Sequence, residues 1–302
     1  MNPTATRTKR ATNPRYRWLR SLKLAPPALV LAALYLGALV SVLFQSFGYA
    51  PLYGVRAPTL RYYDEVFGAP GFWRSLGLTL MYALVPTVLG TLLSVPLALS
   101  LRARFRGRRL LSGVYKLPLL VPYLVGVALT LLLWSNGGLV ARTLFALGVI
   151  QETGDFPRLL NAPNGVGVML VYLWKQVPFQ TLILSSVLAG MDDDLEPAAR
   201  LLGGNPRQVL WHVTLPRLAP GIISATLIVF AFNFGAFEVP LILGSGFPNT
   251  LPVEAWRAFS DPDTERRLYG AALVTVLSLV LGTILGLFLL LYRALERRWG
   301  RP

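Results

Sequence analysis

The chain has 302 residues, 54% of them hydrophobic and 14% charged, which is too little polar material to coat a soluble globule of this size. It holds no cysteine and one histidine, which excludes disulfide frameworks, thiolate nucleophiles and cysteine- or histidine-rich metal centres, and no cofactor is expected. The formal charge of +15 matches a nucleic-acid binder in size but not in placement, because the cations cluster beside apolar runs, where membrane proteins carry them.

In chain order, a polar start with Arg7, Lys9, Arg10, Arg15, Arg17, Arg20 and Lys23 is predicted to be a basic tail, mobile to about Tyr16. The run that follows is about 22 residues long and has no small-residue cleavage site before Gln45-Ser46-Phe47, so it reads as a retained anchor and not a signal peptide. Six runs reach the roughly 20 apolar residues that a membrane-crossing helix needs. They are Pro26 to Phe47, Ser75 to Leu101, Ser112 to Trp134, Gly165 to Ala189, Ala219 to Leu243 and Leu268 to Tyr292.

An even count puts both termini on one side. With the N-terminus inside, the inner segments hold seven, six (counting Lys116 at the inner end of the third run), three and four Lys/Arg residues and the outer ones three, two and three, so the positive-inside rule predicts cytoplasmic termini. The outer loops carry turn-forming stretches such as Tyr49-Ala50-Pro51-Leu52-Tyr53-Gly54 and Asn161-Ala162-Pro163-Asn164-Gly165. Trp73 and Trp134 mark span ends, as interfacial tryptophans do.

Between the fourth and fifth spans the 190–218 segment is polar and rich in helix punctuation. Asp192, Asp193 and Asp194 are expected to cap a helix start, and Pro197 fits its first turn. Gly203-Gly204 supplies a stop, and Asn205-Pro206 opens a second short helix to about Val213. The product is helix, glycine turn, helix. Leu195, Ala198, Ala199 and Leu202 recur at helical spacing as a small apolar stripe, with Arg200 on another side. His212 is expected to be a surface or contact residue.

The spacing Ala198-Ala199, three residues, Gly203, nine residues, Val213, one residue, Leu215-Pro216 resembles the cytoplasmic signature loop of ATP-binding-cassette importer permeases. That pattern opens with Glu-Ala-Ala. Here Pro197 stands at the glutamate position and Glu196 one residue earlier, about 100° away around a helix. The resemblance covers about Phe72 to Arg293 and includes Trp73-Arg74-Ser75-Leu76-Gly77-Leu78-Thr79, Leu117-Pro118-Leu119-Leu120-Val121-Pro122 and Trp174-Lys175-Gln176-Val177-Pro178-Phe179.

It implies an all-α integral protein of the plasma (inner) membrane. The organisation would be a basic tail (1–25), a first span with its outer loop (26–71), a permease domain (72–293) and a cytoplasmic tail (294–302). It also implies ATPase coupling through Glu196, Pro197, Ala198, Ala199, Gly203, Leu215 and Pro216. The implied partners are cytoplasmic ATPase subunits, a second permease subunit, identical or not, and an extracytoplasmic substrate-binding protein, all within membrane lipid and without nucleic acid. The chain is expected to be a transport subunit and not an enzyme: none of its lysines, Lys9, Lys23, Lys116 and Lys175, directly follows a glycine, as a phosphate-cradling loop requires.

Lys175 and Glu238 are the charged side chains more than four residues from either end of a predicted span, where charges face a cavity or a partner. Their distances from the outer ends, about ten and about five residues, place them roughly 8 Å apart in height. Glu238, in Phe234-Gly235-Ala236-Phe237-Glu238-Val239-Pro240, is a candidate for the solute path, with Pro240 disrupting the helix; Lys175 is the second candidate. The alternative for both is a structural charge. The Phe234 to Gly244 stretch resembles the polyamine and small-solute branch of the family, and a carboxylate by the path suits a cation. A sugar-type permease and a secondary transporter are the alternatives, and a membrane enzyme lacks a catalytic cluster here.

Overall fold

The computed structural model describes residues 14–51, 54–103, 105–191 and 194–299. Its helices are α1 (Pro14–Ser46), α2 (Arg61–Gly68), α3 (Phe72–Arg102), α4 (Arg108–Val114), α5 (Leu117–Leu120), α6 (Tyr123–Trp134) and α7 (Leu139–Ala146). There follow α8 (Val166–Ala189), α9 (Leu195–Leu201), α10 (Pro206–Val209), α11 (Leu215–Gly235), α12 (Glu238–Leu243), α13 (Leu251–Phe259) and α14 (Thr264–Trp299). No strand forms among the described residues beyond an isolated bridge between Ala50 and Val55.

Six helical stretches are long and apolar enough to cross a membrane: Ala25–Ser46, Phe72–Arg102, Tyr123–Ala146, Val166–Ala189, Pro206–Gly235 and Thr264–Ala294. A bilayer offers no water to unpaired backbone groups, so helices that satisfy their own hydrogen bonds are the natural solution. Helix α8 packs along α3 and α11, and α1 lies along α14. Three apolar clusters hold the bundle. One gathers Tyr62, Phe72, Phe234, Leu251 and Leu268 from α2, α3, α11, α13 and α14. The second joins Tyr82, Val127, Tyr172 and Leu243 from α3, α6, α8 and α12. The third, Ala98, Leu184, Leu188 and Leu218, binds α3, α8 and α11 at the end nearest α9.

Three boundaries differ from expectation. Helix α1 begins at Pro14, inside the stretch read as a mobile tail; residues 1–13 lie outside the described residues. The third run is not one helix from Ser112. It breaks after Val114 and again at Val121-Pro122, because Pro118 and Pro122 offer no N–H to the carbonyls four residues back, those of Val114 and Pro118, and Pro122 holds the residue before it, Val121, extended. The fifth run also breaks, at Ala236-Phe237, so that Pro240 falls in the first turn of α12, where a missing N–H costs nothing.

The turn expected over 161–165 forms, while Leu52 and Tyr53 of the 49–54 stretch lie outside the described residues. Asn161 adopts a positive φ of 52°, and its side-chain amide donates to the carbonyls of Ile242 (2.9 Å) and Gly244 (3.0 Å), closing the end of α12. Gly165 is left-handed, with φ 64°, and an added Cβ there would lie 2.0 Å from the Tyr82 ring. Chain direction and close packing therefore both require glycine.

Candidate functional site

The 190–218 segment forms the expected helix, turn, helix. Helix α9 ends in a Schellman motif: the Gly203 N–H donates to the Arg200 carbonyl and the Gly204 N–H to the Ala199 carbonyl, each at 3.0 Å. Gly203 sits at φ +88°, and a Cβ on Gly204 would meet the Ala199 carbonyl oxygen at 2.7 Å, so the two glycines have different reasons to be there. Asn205 then closes a reciprocal capping box. Its side chain accepts from the Gln208 N–H at 2.9 Å, while the Gln208 side chain accepts from the Asn205 N–H at 2.8 Å.

Two local expectations need correction. Asp194 occupies the cap position of α9 without a side-chain cap hydrogen bond, and Asp192 and Asp193 lie outside the described residues. The second helix also does not stop at Val213. It passes through a π turn, 210–214, directly into α11. The physical reason is Pro216, which has no N–H for the carbonyl four residues back and would crowd it; widening the preceding turn relieves both problems. The half of the loop after the glycines is therefore continuous with a membrane span.

Glu196 is the organising side chain. It is partly buried and its Oε1 accepts from Arg102 Nη1 at 2.5 Å and from Thr214 Oγ1 at 2.8 Å. One carboxylate thus ties α9 to the last residue of α3 and to the π turn that leads into α11. Burial alone would raise its pKa; the hydrogen bonds from Arg102 and Thr214 and the charges of Arg102 and Arg200 outweigh burial and hold it below the ordinary carboxylate value. The carboxylate displaced by one position from the signature pattern faces the body of the protein, while Pro197 and Ala198 lie exposed.

The rest of the loop offers apolar surface outward. Leu201 and Leu202 are 89% and 90% exposed, and Leu195 and Trp211 are also largely uncovered. Leu215 is half-buried, Pro216 exposed and Ala199 half-buried. His212 is exposed and its Nδ1 lies 3.0 Å from the Gln208 carbonyl oxygen.

Of the two charges expected inside spans, Lys175 falls within Val166–Ala189, whereas Glu238 lies beyond the end of Pro206–Gly235, because the fifth run breaks before it. Lys175 is buried, and its ammonium donates to the carbonyls of Pro118 (2.7 Å) and Val121 (2.5 Å), over the Tyr123 ring at 4.9 Å. Both carbonyls lie where prolines interrupt the third run; the Pro118 carbonyl also accepts from the Val121 N–H at 3.3 Å, and Lys175 supplies the further donor that lipid cannot. Glu238 is exposed at the first residue of α12, and among the described residues no ion pair joins it to Lys175.

A polar seam that the sequence reading missed lies between α3, α8 and α11. Gln176 and Asn233 exchange hydrogen bonds, and Asn233 Nδ2 donates to Thr87 Oγ1 at 3.1 Å. Thr91 Oγ1 donates to Gln180 Oε1 at 2.9 Å and shares a hydrogen bond of 3.1 Å with Thr226. The signal was available: Thr87/Thr91 and Gln176/Gln180 are each four residues apart inside apolar runs, which places each pair on one helix face. Uncharged side chains do not stand out in a search for charges.

Residues 87–301 match the family described as binding-protein-dependent transport system inner membrane component. The chain belongs to that family. The permease is 31% identical over 263 residues to the molybdenum transport system permease protein ModB of Mycobacterium bovis, covering 85% of this chain and 95% of that protein. It is 30% identical over 241 residues to the sulfate transport system permease protein CysW of Synechocystis, covering 78% and 81%. Its fold matches a chain of a bacterial ABC transporter involved in the import of the acidic polysaccharide alginate, with a TM-score of 0.74 at 17% identity over 94% of the permease and 96% of that chain. The permease is accordingly a multi-pass membrane transport component and not an enzyme, and the family excludes the secondary-transporter reading.

Proposed function

We propose that this chain is the permease subunit of an ATP-driven importer whose solute is a tetrahedral oxyanion of the molybdate or sulfate kind. It works with two cytoplasmic ATPase subunits, a second permease subunit and an extracytoplasmic binding protein, and its termini and the 190–218 loop are cytoplasmic. The observation that carries the solute is the likeness to a molybdenum permease over nearly the whole of both chains. A polyamine finds no support in these relatives, and its structural basis weakens because Lys175 is engaged by backbone and Glu238 stands at a helix break.

In mechanism, the loop is a lever. Leu195, Leu201 and Leu202 meet the ATPase, Gly203 and Gly204 hold the angle between the two short helices, and the Glu196 clasp passes displacement to α3 and α11. A rigid connection is required, since a loose one would dissipate the motion. Leu215 and Pro216 carry that motion into the fifth span. Glu238 stays a candidate residue at the outer end of the path, where its carboxylate repels an oxyanion and so does not bind it; Lys175 serves by holding the interrupted third run.

The test is uptake of radiolabelled molybdate, sulfate, maltose and putrescine by cells with the gene deleted and then restored. Loss and recovery of molybdate or sulfate uptake alone is expected; loss of putrescine or maltose uptake alone would overturn the solute assignment.

A further inference from the structure

Between the ends of α3 and α8 and the connection α4–α5 lies a cavity of about 470 Å³ that the transport reading does not use. Its walls include Arg102, Arg108 and Lys116 and the hydroxyl-bearing Ser112 and Tyr115, and no Asp or Glu lines it among the described residues. Arg102 already shares its charge with Glu196, and Arg108 and Lys116 add two further cations to the walls. Both are exposed at the mouth, with the Lys116 ammonium 5.7 Å from the Tyr115 ring centre.

Next to these cations stands bare apolar surface. Leu110, Val114 and Leu117 are 73%, 50% and 56% exposed, and Leu120 is 81% exposed. Leu110 and Val114 lie four residues apart on one face of α4, and Leu117 opens α5 directly after the Tyr115-Lys116 turn. A short segment with leucines on one side and Arg or Lys on the other lies flat in a membrane interface, apolar side toward acyl chains and cations toward headgroups. A free anion would use the cations and hydroxyls and leave the leucines in water; a phospholipid uses both. Basic pockets between spans at the cytoplasmic side are suited to anionic lipid heads.

We propose that this cavity binds the phosphate head of an anionic phospholipid, with its acyl chains along Leu110, Val114 and Leu117. The shared chemistry is a tetrahedral oxyanion, and the amphipathic wall assigns it to lipid. The leaflet is the cytoplasmic one under the orientation proposed above, but binding itself does not depend on that orientation. The site also borders Arg102, so an occupied cavity adjoins the Glu196 clasp.

The experiment uses the purified full-length chain in mixed phosphatidylglycerol and phosphatidylcholine nanodiscs, with a photoactivatable phosphatidylglycerol analogue as probe and mass spectrometry to locate the cross-link. The expected label falls on α4, α5 or the end of α8. The Arg108→Gln/Lys116→Gln variant is expected to lose about 30-fold in probe affinity, each direct charge-assisted hydrogen bond to the phosphate contributing about fivefold. Arg106→Gln/Arg109→Gln is the control: it removes the same charge from exposed residues that do not line the cavity, and its affinity is expected to stay within about twofold of wild type, since screened surface charges contribute little. Equal loss in both variants would reduce the effect to general surface charge and overturn the site. Undiminished labelling of the first variant would do the same, as would equal labelling by a phosphatidylcholine probe. Displacement of the probe by low-millimolar inorganic phosphate or sulfate would assign the cavity to a free oxyanion and overturn the lipid.

Discussion

At the scale of single residues, Glu196 illustrates how a one-position shift in sequence is absorbed in three dimensions. A carboxylate at position 197 would project with Ala198 toward solvent; at 196 it reaches Arg102 and Thr214. Hydrogen bonds to a charged group typically contribute about 1.5–3 kcal/mol, and partial exposure of both partners reduces that to roughly 1 kcal/mol. We expect Glu196→Ala to lower uptake at least several-fold while membrane insertion and the ATPase rate of the assembled complex persist. The charge-reversed pair Glu196→Arg/Arg102→Glu is expected to recover part of the uptake, and no recovery would argue against the clasp. The pH dependence has a definite sign. A carboxylate whose folded pKa lies below its unfolded value of about 4.3 stabilises fully above that value, and the contribution is lost as the pH falls through the folded pKa. The difference in melting temperature between wild type and Glu196→Gln should therefore be full at neutral pH and vanish under acid conditions.

At the scale of elements, the decisive features are interruptions. The glycine turn joins α9 to α10 through a left-handed Gly203 whose N–H is committed to Arg200. Proline at 203 would need a negative φ near −65° and would remove that donor. Gly203→Pro is expected to abolish solute-stimulated uptake while the complex still hydrolyses ATP and sits in the membrane; undiminished uptake would sink the lever. The break between α5 and α6 and that between α11 and α12 follow from prolines legible in the sequence. What satisfies the broken backbone was not legible, since Lys175 lies more than fifty residues from the carbonyls it serves.

At the scale of the whole molecule, orientation is the property on which the lever depends. The chain has no cysteine, so single cysteines are reporters in an otherwise silent background. Leu202→Cys is expected to react with a membrane-impermeant maleimide in inside-out vesicles and not in intact cells, and Asn164→Cys the reverse. Both residues are exposed, so an inverted result would place the loop outside and remove the ATPase-coupling role.

Six membrane-crossing helices and the helix, turn, helix of the 190–218 loop are legible in the linear chain. Hydropathy over about 20 residues and the chemistry of Gly, Pro and Asn act locally, so a linear reading suffices for them. Tertiary structure alone decided which side chains meet: Glu196 with Arg102 and Thr214, Lys175 with two carbonyls, and Thr87, Gln176 and Asn233 with one another. These are contacts between distant segments, and their physical cause is that a bundle in lipid must satisfy every buried polar group from inside, by whichever helix packing brings close.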